Sequence, residues 1–319
     1  MGQIAQIPQP PTQSNLYPAD PPPPMNPARQ DVSYREGRWS DPASGQPLSY
    51  RLWQPSSPRA FLLIIHGFGE HGGRYASMGH TLAAEGICVA APDLCGHGRS
   101  SGRRGDVGDV ACCAKQVGLL ADHAFGSQAG DAPRAYGPGG PEARYTVFGH
   151  SFGGLVAIAL ALQQPATLCR LVLQSPFLEA GFPLPRWKTS AAMLLARWWP
   201  TCSFSMNLDA AMLSHDPDVV QAYRADPLVH NRMSARSYRS ILQASDDAFR
   251  RAHELQVPLL MLNGDADRIA SVEAARRWFA LVPGKKRSTT FPGAYHELHH
   301  EPIRDEALRL LCDWTLAYA

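Results

Sequence analysis

The stretch "RYTVFGHSFGGLVAIAL", Arg144 to Leu160, changes its character half-way along. It begins as an apolar run rich in β-formers, passes through Gly-His-Ser-Phe-Gly-Gly, and continues as an Ala/Leu segment of helical character. Ser151 therefore stands where a strand must turn abruptly into a helix. A side chain at such a turn projects above the carboxyl edge of a sheet, and the free N–H groups of the helix N-terminus face it. The pattern predicts a nucleophilic serine.

The tightness of this turn requires small neighbours on both sides of Ser151. Gly149 and Gly153 provide them, because they lack the Cβ atoms that would clash across the turn. Taken alone, Gly-x-Ser-x-Gly is also compatible with a Gly-rich turn in which the serine caps a helix. The strand pattern before the motif and the helix pattern after it favour the nucleophile.

The rest of the chain alternates strand-like and helix-like segments from about residue 36 to residue 319. The apolar strands are predicted at residues 61–67, 87–93, 145–149, 171–174, 258–263 and 288–291, after an early alternating strand at "PLSYRLW". Strands that are apolar throughout, separated by helices, predict an α/β fold with a mostly parallel sheet covered on both faces. Residues of about 177–250 have helical patches and no convincing strand, which predicts an inserted helical cap. The Gly/Pro/Ala-rich stretch from Phe125 to Glu142 is predicted to be a long loop.

Composition narrows the class of protein. The 319 residues include 30 basic and 28 acidic ones, a net charge of +2, without the basic clusters that bind nucleic acid. The seven cysteines form no CxxC pair and favour buried free thiols in a reducing compartment. Residues 1–35 are predicted to be a proline-rich disordered tail, with neither signal peptide nor membrane span. We therefore expect a cytoplasmic protein, at most peripheral to a membrane, of unassigned oligomeric state.

A serine nucleophile needs a base and an acid, each on a loop after a strand. The run "PLLMLNGDADR" places Asp265 and Asp267 just past one strand, and "STTFPGAYHELHH" places His296 just past the next. His296 is nearest to its strand end, whereas His299 and His300 fall at the entry to the last helix. Asp267 is preferred as the acid, but only slightly, over Asp265, whose alternative role is a turn or N-cap carboxylate.

An oxyanion hole needs a second N–H group besides that of Phe152. The loop "HGFGEHGGRY" directly follows a buried strand, and Phe68 would supply that N–H. His66 and His71 in the same loop lack a third ligand at a recognisable spacing, so no metal is predicted. The predicted chemistry requires no cofactor.

These motifs, together with "DLCGHGRSSG" and "LSHDPDVVQAYRADPL", follow one another in an order similar to that of a known family. Over about residues 36–319, cap included, the chain resembles the monoacylglycerol lipase and lysophospholipase-like family of α/β hydrolases. The resemblance implies an α/β-hydrolase fold with a lid and a triad of Ser151, Asp267 and His296, with Phe68 and Phe152 at the oxyanion hole. It also implies a glycerol headgroup site at Glu70, Tyr223 and His299.

The chain departs from the family pattern in three places. Phe68 stands where relatives often have a smaller residue, which bears on the shape of the acyl pocket. Cys95 replaces a position that is often Arg or Val, and the loop from Phe125 to Glu142 is longer than usual.

The cap contains "RWKTSAAMLLARWWP", which combines Trp, Met and Leu with Arg and Lys. This composition is typical of an amphipathic segment that contacts a lipid interface, and equally of a helix that packs the cap onto the sheet. An apolar entrance favours an acyl chain over a sugar or a peptide.

The leading expectation is therefore a serine esterase or lipase that cleaves monoacylglycerols or similar single-chain esters through an acyl-enzyme. Lysophospholipid cleavage, thioester hydrolysis and peptidase action remain open, because the triad does not fix the leaving group. An alternative of another class is a receptor that binds such a ligand without turnover.

Overall fold

The computed structural model describes residues 30–126, 144–182, 186–206 and 208–317. The strands in these ranges are β1 (Val32–Ser40), β2 (Pro47–Pro55), β3 (Ala60–Ile65), β4 (Ile87–Pro92), β5 (Tyr145–His150), β6 (Leu168–Gln174), β7 (Ser203–Ser205), β8 (Arg232–Ser234), β9 (Leu259–Gly264) and β10 (Lys286–Phe291). The α-helices are α1 (Ala76–Ala84), α2 (Val110–Gly126), α3 (Phe152–Leu162), α4 (Arg186–Trp198), α5 (Pro217–Ala225), α6 (Ala235–Arg250), α7 (Val272–Leu281) and α8 (Arg304–Leu316). None of the helices in this part of the chain is both long and apolar enough to cross a membrane.

Eight of the strands form one sheet in the order β1-β2-β4-β3-β5-β6-β9-β10. Neighbours from β4 to β10 run parallel, whereas β2 is antiparallel to both β1 and β4. The predicted α/β fold with a mostly parallel sheet is confirmed. The carboxyl ends of β3, β5, β9 and β10 lie along one edge, so the loops after these strands can meet there.

The sheet is covered on both faces, which explains why its strands are apolar throughout. Along β3, Leu63 and Ile65 pack with residues of α2, α3 and α7, while Leu62 and Ile64 pack with residues of α1 and α8. Successive strand residues therefore contribute to opposite core layers.

Strand β1 was not predicted from the sequence. It begins at Val32, within the segment interpreted as a tail, and pairs with β2 along its whole length. Most of its side chains are exposed, because it lies at the edge of the sheet. A polar edge strand has no apolar periodicity that would reveal it. The rest of the tail, residues 1–29, and most of the predicted loop, residues 127–143, lie outside the described residues.

The segment between β6 and β9, which the sequence predicts to be a cap, contains α4, α5 and α6 and also the short hairpin of β7 and β8. Ile241 and Ala248 of α6 join the core layer of α2 and α3. Helix α4 packs differently: among its described side chains, from residue 192 onward, those that are buried are the small Ala192 and Ala196. The side chains of Arg186, Trp187 and Lys188 lie outside the described residues.

Large apolar side chains of α4 face outward. Trp198 is 76% exposed and Leu194 61% exposed. We call Met193, Leu194, Leu195, Trp198 and Trp199 the cap apolar surface.

Candidate active site

Ser151 occupies the turn between β5 and α3 in a conformation that few non-glycine residues adopt, with φ 53° and ψ −120°. Such a conformation costs on the order of 1–3 kcal/mol and persists only when its surroundings hold it. Here the Ser151 N–H donates to the carbonyl of Gln174 at 3.0 Å, and its carbonyl accepts from Phe177 N–H at 2.9 Å. The backbone of β6 and of the loop after it therefore fixes the turn.

The two glycines of the motif are required by close backbone contacts. A Cβ atom on Gly153 would lie 2.1 Å from the carbonyl oxygen of Ile65, and one on Gly149 would lie 2.4 Å from that of Gly153. Any side chain at these positions would push α3 away from the sheet. Both glycines therefore let the helix begin directly at Ser151.

Asp267 and His296 follow β9 and β10, and the structure brings them together. Asp267 Oδ2 lies 2.7 Å from His296 Nδ1, while Asp267 Oδ1 accepts from the N–H groups of Ile269 at 2.8 Å and Ala270 at 3.1 Å. Both side chains are almost completely buried. Asp265 instead accepts from Gly293 N–H at 2.6 Å and holds the turn after β10.

The pKa values of His296 and Asp267 are both shifted from their ordinary values. Burial by itself would lower the pKa of His296, but Asp267, aided by Glu297 and Glu70, outweighs it and holds this pKa above its ordinary value. Burial would also raise the pKa of Asp267, yet His296 and the two backbone N–H groups keep it below its ordinary value. Asp267 is therefore ionised and orients the imidazole.

Phe152 directly follows Ser151, and Phe68 follows Gly67, where a Cβ atom would lie 3.4 Å from the Cβ atom of Ser151. Their rings meet edge to face with centroids 5.3 Å apart. Neither backbone N–H has an acceptor among the described residues. Two N–H groups without acceptors beside a serine can stabilise an oxyanion.

The Phe68 loop contacts the cap. Gly69 has φ +83°, its carbonyl accepts from the N–H of His230 at 2.8 Å, and a Cβ atom on it would lie 2.4 Å from the His230 carbonyl oxygen. His71 Nε2 lies 2.8 Å from Asp226 Oδ2, also in the cap. The cap segment 226–230 thus lies directly on the loop that carries Phe68.

Beneath this loop a buried ion network contains two carboxylates and one guanidinium. Arg74 Nη1 donates to Glu70 Oε2 at 2.5 Å, and its two terminal nitrogens donate to the two oxygens of Glu297 at 2.6 and 2.8 Å. The Arg74 guanidinium carbon lies 4.7 Å from the Tyr223 ring centroid. Glu70 and Tyr223, distant in sequence, therefore contact the same cation.

His299 belongs to a neighbouring group of imidazoles. Its Nδ1 lies 2.7 Å from Gln174 Nε2, which also lies 3.2 Å from His150 Nδ1. The ring of His299 stacks on Tyr75 with centroids 4.7 Å apart, and its Nε2 is buried without a hydrogen-bond partner among the described residues. His150 in turn lies 4.7 Å from the His296 ring, centroid to centroid. Burial first, and then His296, lowers the pKa of His150 to about 4, so it is neutral at pH 7.

Glu297, His299 and His300 have potential metal ligands within 4.8 Å of one another. However, Arg74 donates to both oxygens of Glu297, and His300 Nδ1 lies 2.8 Å from one of them. A cation would have to displace a guanidinium from its partner. These side chains therefore do not fit a metal site.

Sequence reasoning did not single out several residues of this region. Arg74 could have been found as the i+4 partner of Glu70, and His150 as the residue beside the nucleophile. Glu297 and Gln174 gave no usable signal, because their contacts are with residues far away in the chain.

A mostly parallel sheet whose central strand leads through a strained serine into a helix, with an Asp–His pair on later loops, defines an α/β hydrolase with a serine nucleophile. The sequence matches the model of the family described as "Serine aminopeptidase, S33" over residues 56–303. It is 31% identical over 277 residues to a monoacylglycerol lipase of Mycolicibacterium smegmatis, covering 86% of this chain and 94% of that protein. It is also 31% identical over 276 residues to a monoglyceride lipase of Homo sapiens, covering 85% of this chain and 87% of that one.

The crystal structure of a monoacylglycerol lipase from Paleococcus ferrophilus superposes with a TM-score of 0.73 at 30% identity, over 90% of this chain and 100% of that one. The chain therefore belongs to the serine aminopeptidase S33 family of α/β hydrolases, and the resemblance to the monoacylglycerol lipases inferred from its motifs is confirmed. It is a serine hydrolase.

Proposed function

We propose that this protein hydrolyses monoacylglycerols and similar single-chain esters through an acyl-enzyme on Ser151. The observation that carries the proposal is the buried Asp267–His296 pair, with a 2.7 Å contact, on the same sheet edge as the strained Ser151 turn. The likeness to monoacylglycerol lipases along most of the chain supports the substrate class.

In the proposed mechanism, Ser151 Oγ attacks the ester carbonyl carbon while His296 Nε2 takes the hydroxyl proton. Asp267 holds the Nδ1–H of His296 and stabilises the imidazolium. The imidazolium then returns the proton to the leaving alcohol oxygen as the C–O bond breaks. A water molecule, deprotonated by His296, hydrolyses the acyl-enzyme, releases the fatty acid and regenerates Ser151.

Phe68 and Phe152 are the proposed oxyanion donors, because Phe152 directly follows Ser151, Phe68 follows Gly67 beside it, and neither N–H group has an acceptor among the described residues. Each such donor is typically worth about 10²–10³ in kcat.

Glu70, Tyr223 and His299 are proposed to line the headgroup site. The free Nε2 of the buried His299 supports this role, since it can bond a glycerol hydroxyl. The Tyr223 ring contacts the Arg74 cation, which also binds Glu70.

The cap apolar surface is proposed to contact a lipid interface from which substrate enters. Four of its five exposed apolar side chains lie on α4, Trp199 directly follows the helix, and the exposed Arg197 lies among them. We also propose a reducing, cytoplasmic location, which the seven free cysteines support.

The first experiment is hydrolysis of a matched set of substrates of one chain length: a monoacylglycerol, a diacylglycerol, a lysophosphatidylcholine and an acyl-CoA. Ser151→Ala serves as the blank and is expected to retain the fold and lose roughly 10⁶-fold in kcat. Selective turnover of the monoacylglycerol supports the proposal. Preference for another member would keep the triad and transfer the function to a lysophospholipase or a thioesterase.

Fluorophosphonate labelling separates the enzyme from a receptor that only binds ligand. The wild type is expected to be labelled at Ser151, and a protein that binds monoacylglycerol without being labelled would contradict the mechanism.

A further inference from the structure

Glu70 already has internal hydrogen-bond donors on both of its carboxylate oxygens. Oε1 accepts from the N–H of Gly67 at 2.6 Å and from the hydroxyl of Tyr75 at 2.9 Å, and Oε2 accepts from Arg74 at 2.5 Å. The residue is only 3% exposed. A carboxylate committed in this way has a task within the protein, whatever else it contacts.

The contact with Gly67 holds the loop immediately before Phe68. Gly67 has no side chain to restrict its backbone, and a Cβ atom at this position would lie 2.8 Å from Glu70 Oε1 and 3.4 Å from the Cβ atom of Ser151. Gly67 therefore lies between the Glu70 carboxylate and Ser151. A charge-assisted hydrogen bond at this point fixes a segment that would otherwise be free to move.

His66 fixes the other side of Gly67. Its Nε2 accepts from the Leu94 N–H at 2.9 Å, so in the neutral ring the proton is on Nδ1 and is donated to the carbonyl of Gly67 at 2.7 Å. In a planar trans peptide this carbonyl and the N–H of Phe68 point in opposite directions. His66 and Glu70 together thus determine where the Phe68 N–H points.

Glu70 is held in its ionised form. Burial by itself would raise its pKa, but the adjacent Arg74 guanidinium outweighs burial and keeps the pKa of Glu70 below its ordinary value. The Arg74 guanidinium is fixed from its other side by the two oxygens of Glu297. The network beneath the loop therefore keeps a full negative charge available to Gly67.

We propose that Glu70 is a positioning residue for the oxyanion hole: its carboxylate holds Gly67 so that the Phe68 N–H faces the developing oxyanion. This role rests on the proposed function, in which Phe68 supplies an oxyanion donor. It differs from a headgroup contact in one measurable respect. A headgroup ligand affects only substrates that have the headgroup, whereas a positioning residue affects the chemical step of every ester.

The test compares a monoacylglycerol with the 4-nitrophenyl ester of the same acyl chain, which has no glycerol. Glu70→Asp retains the charge beside Arg74 but is one methylene too short to reach Gly67 N–H, and Glu70→Gln retains the length but not the charge. We expect both variants to lose about 10- to 100-fold in kcat on both esters, as for a displaced catalytic group. KM for the 4-nitrophenyl ester is expected to stay within about threefold, since the acyl pocket is unchanged.

Asp106→Asn is the control for loss of a buried carboxylate that pairs with an arginine. Asp106 is buried, and its two oxygens accept from the exposed Arg236 at 2.7 and 2.8 Å, next to Ser234 at the end of β8. The control is expected to lower the melting temperature while kcat on both esters stays within about twofold.

Three outcomes would overturn the proposal. One is unchanged kcat on the 4-nitrophenyl ester, with a raised KM for the monoacylglycerol alone, which identifies a headgroup ligand. Another is a loss of kcat in Asp106→Asn as large as that in the Glu70 variants, which would mean that lower stability of the fold causes both losses. A wild-type protein that turns over neither ester would overturn the proposed function itself, and with it the role of Glu70.

Discussion

The network of Glu70, Arg74 and Glu297 and the outer face of α4 both depart from the usual rule that charged side chains are exposed and apolar side chains are buried. Glu70, Arg74 and Glu297 are charged and buried, with the two carboxylates 3% and 1% exposed. On α4 the large apolar side chains are outside, and Trp198 is 76% exposed. Globular proteins generally bury large apolar side chains and expose charged ones.

Both the burial of these charges and the exposure of these apolar side chains are unfavourable for the stability of the folded protein. Taking two carboxylates out of water is unfavourable, and the short hydrogen bonds from Arg74 to both of them compensate for it. The exposed tryptophans gain nothing in an isolated monomer. Such departures are expected at functional sites. The comparison therefore supports two of our proposals, a chemical role for the first region and contact with a lipid interface for the second.

The largest expected effect comes from a substitution in the buried Asp267–His296 pair. Asp267→Asn removes the charge that orients His296 and stabilises its protonated form, and is expected to lower kcat roughly 10⁴-fold. Asp265→Asn, two residues away, removes only a contact to Gly293 N–H and should cost a few-fold at most. Hydrolysis of a 4-nitrophenyl ester by both variants measures the difference. A larger loss in Asp265→Asn would mean that the acid is misassigned.

A smaller effect is expected at the cap. The double substitution of Trp198 and Trp199 by Ser removes two exposed rings from the cap apolar surface, and is expected to weaken binding to phosphatidylcholine vesicles about tenfold, or ~1.4 kcal/mol. Turnover of a soluble 4-nitrophenyl ester should not change. Vesicle sedimentation and the ester assay measure the two effects.

Leu281→Ser is the control for that experiment. Leu281 is 53% exposed, but it lies at the end of α7 and not on the cap. It should leave vesicle binding unaltered. Equal losses for the two sites would mean that the cap apolar surface has no particular role.

The smallest expected effect is a shift along the pH axis. His296 must be neutral to accept the serine proton, and its pKa is raised, so kcat/KM should fall as pH drops through a value above 6.5, the ordinary pKa of histidine. Glu297→Gln removes one carboxylate that raises this pKa, and should therefore move the acidic limb to lower pH. The double cap variant should leave the limb where it is. An acidic limb that is unmoved or higher in Glu297→Gln would contradict the electrostatic account of His296.

Most of the fold could be predicted from the sequence, because the central strands are buried on both faces and read as continuous apolar runs. Strand β1 could not, since its exposed edge residues have no such pattern. The cap hairpin of β7 and β8 was missed because three-residue strands are too short for periodicity to show. Elements that bury little surface therefore leave little trace in the sequence.

At the candidate site, the sequence determined the residue types and their chain order: Ser151 at a strand-to-helix turn, then an aspartate and a histidine after later strands. These are local signals, since a tight turn and a strand end depend on neighbouring residues. Two decisions needed the tertiary structure. Only the fold shows that Asp267, and not Asp265, lies against His296. Only the fold brings Glu70, Arg74 and Glu297 into one buried network, because Coulomb interactions and hydrogen bonds depend on distance in space and Arg74 lies 223 residues from Glu297 along the chain.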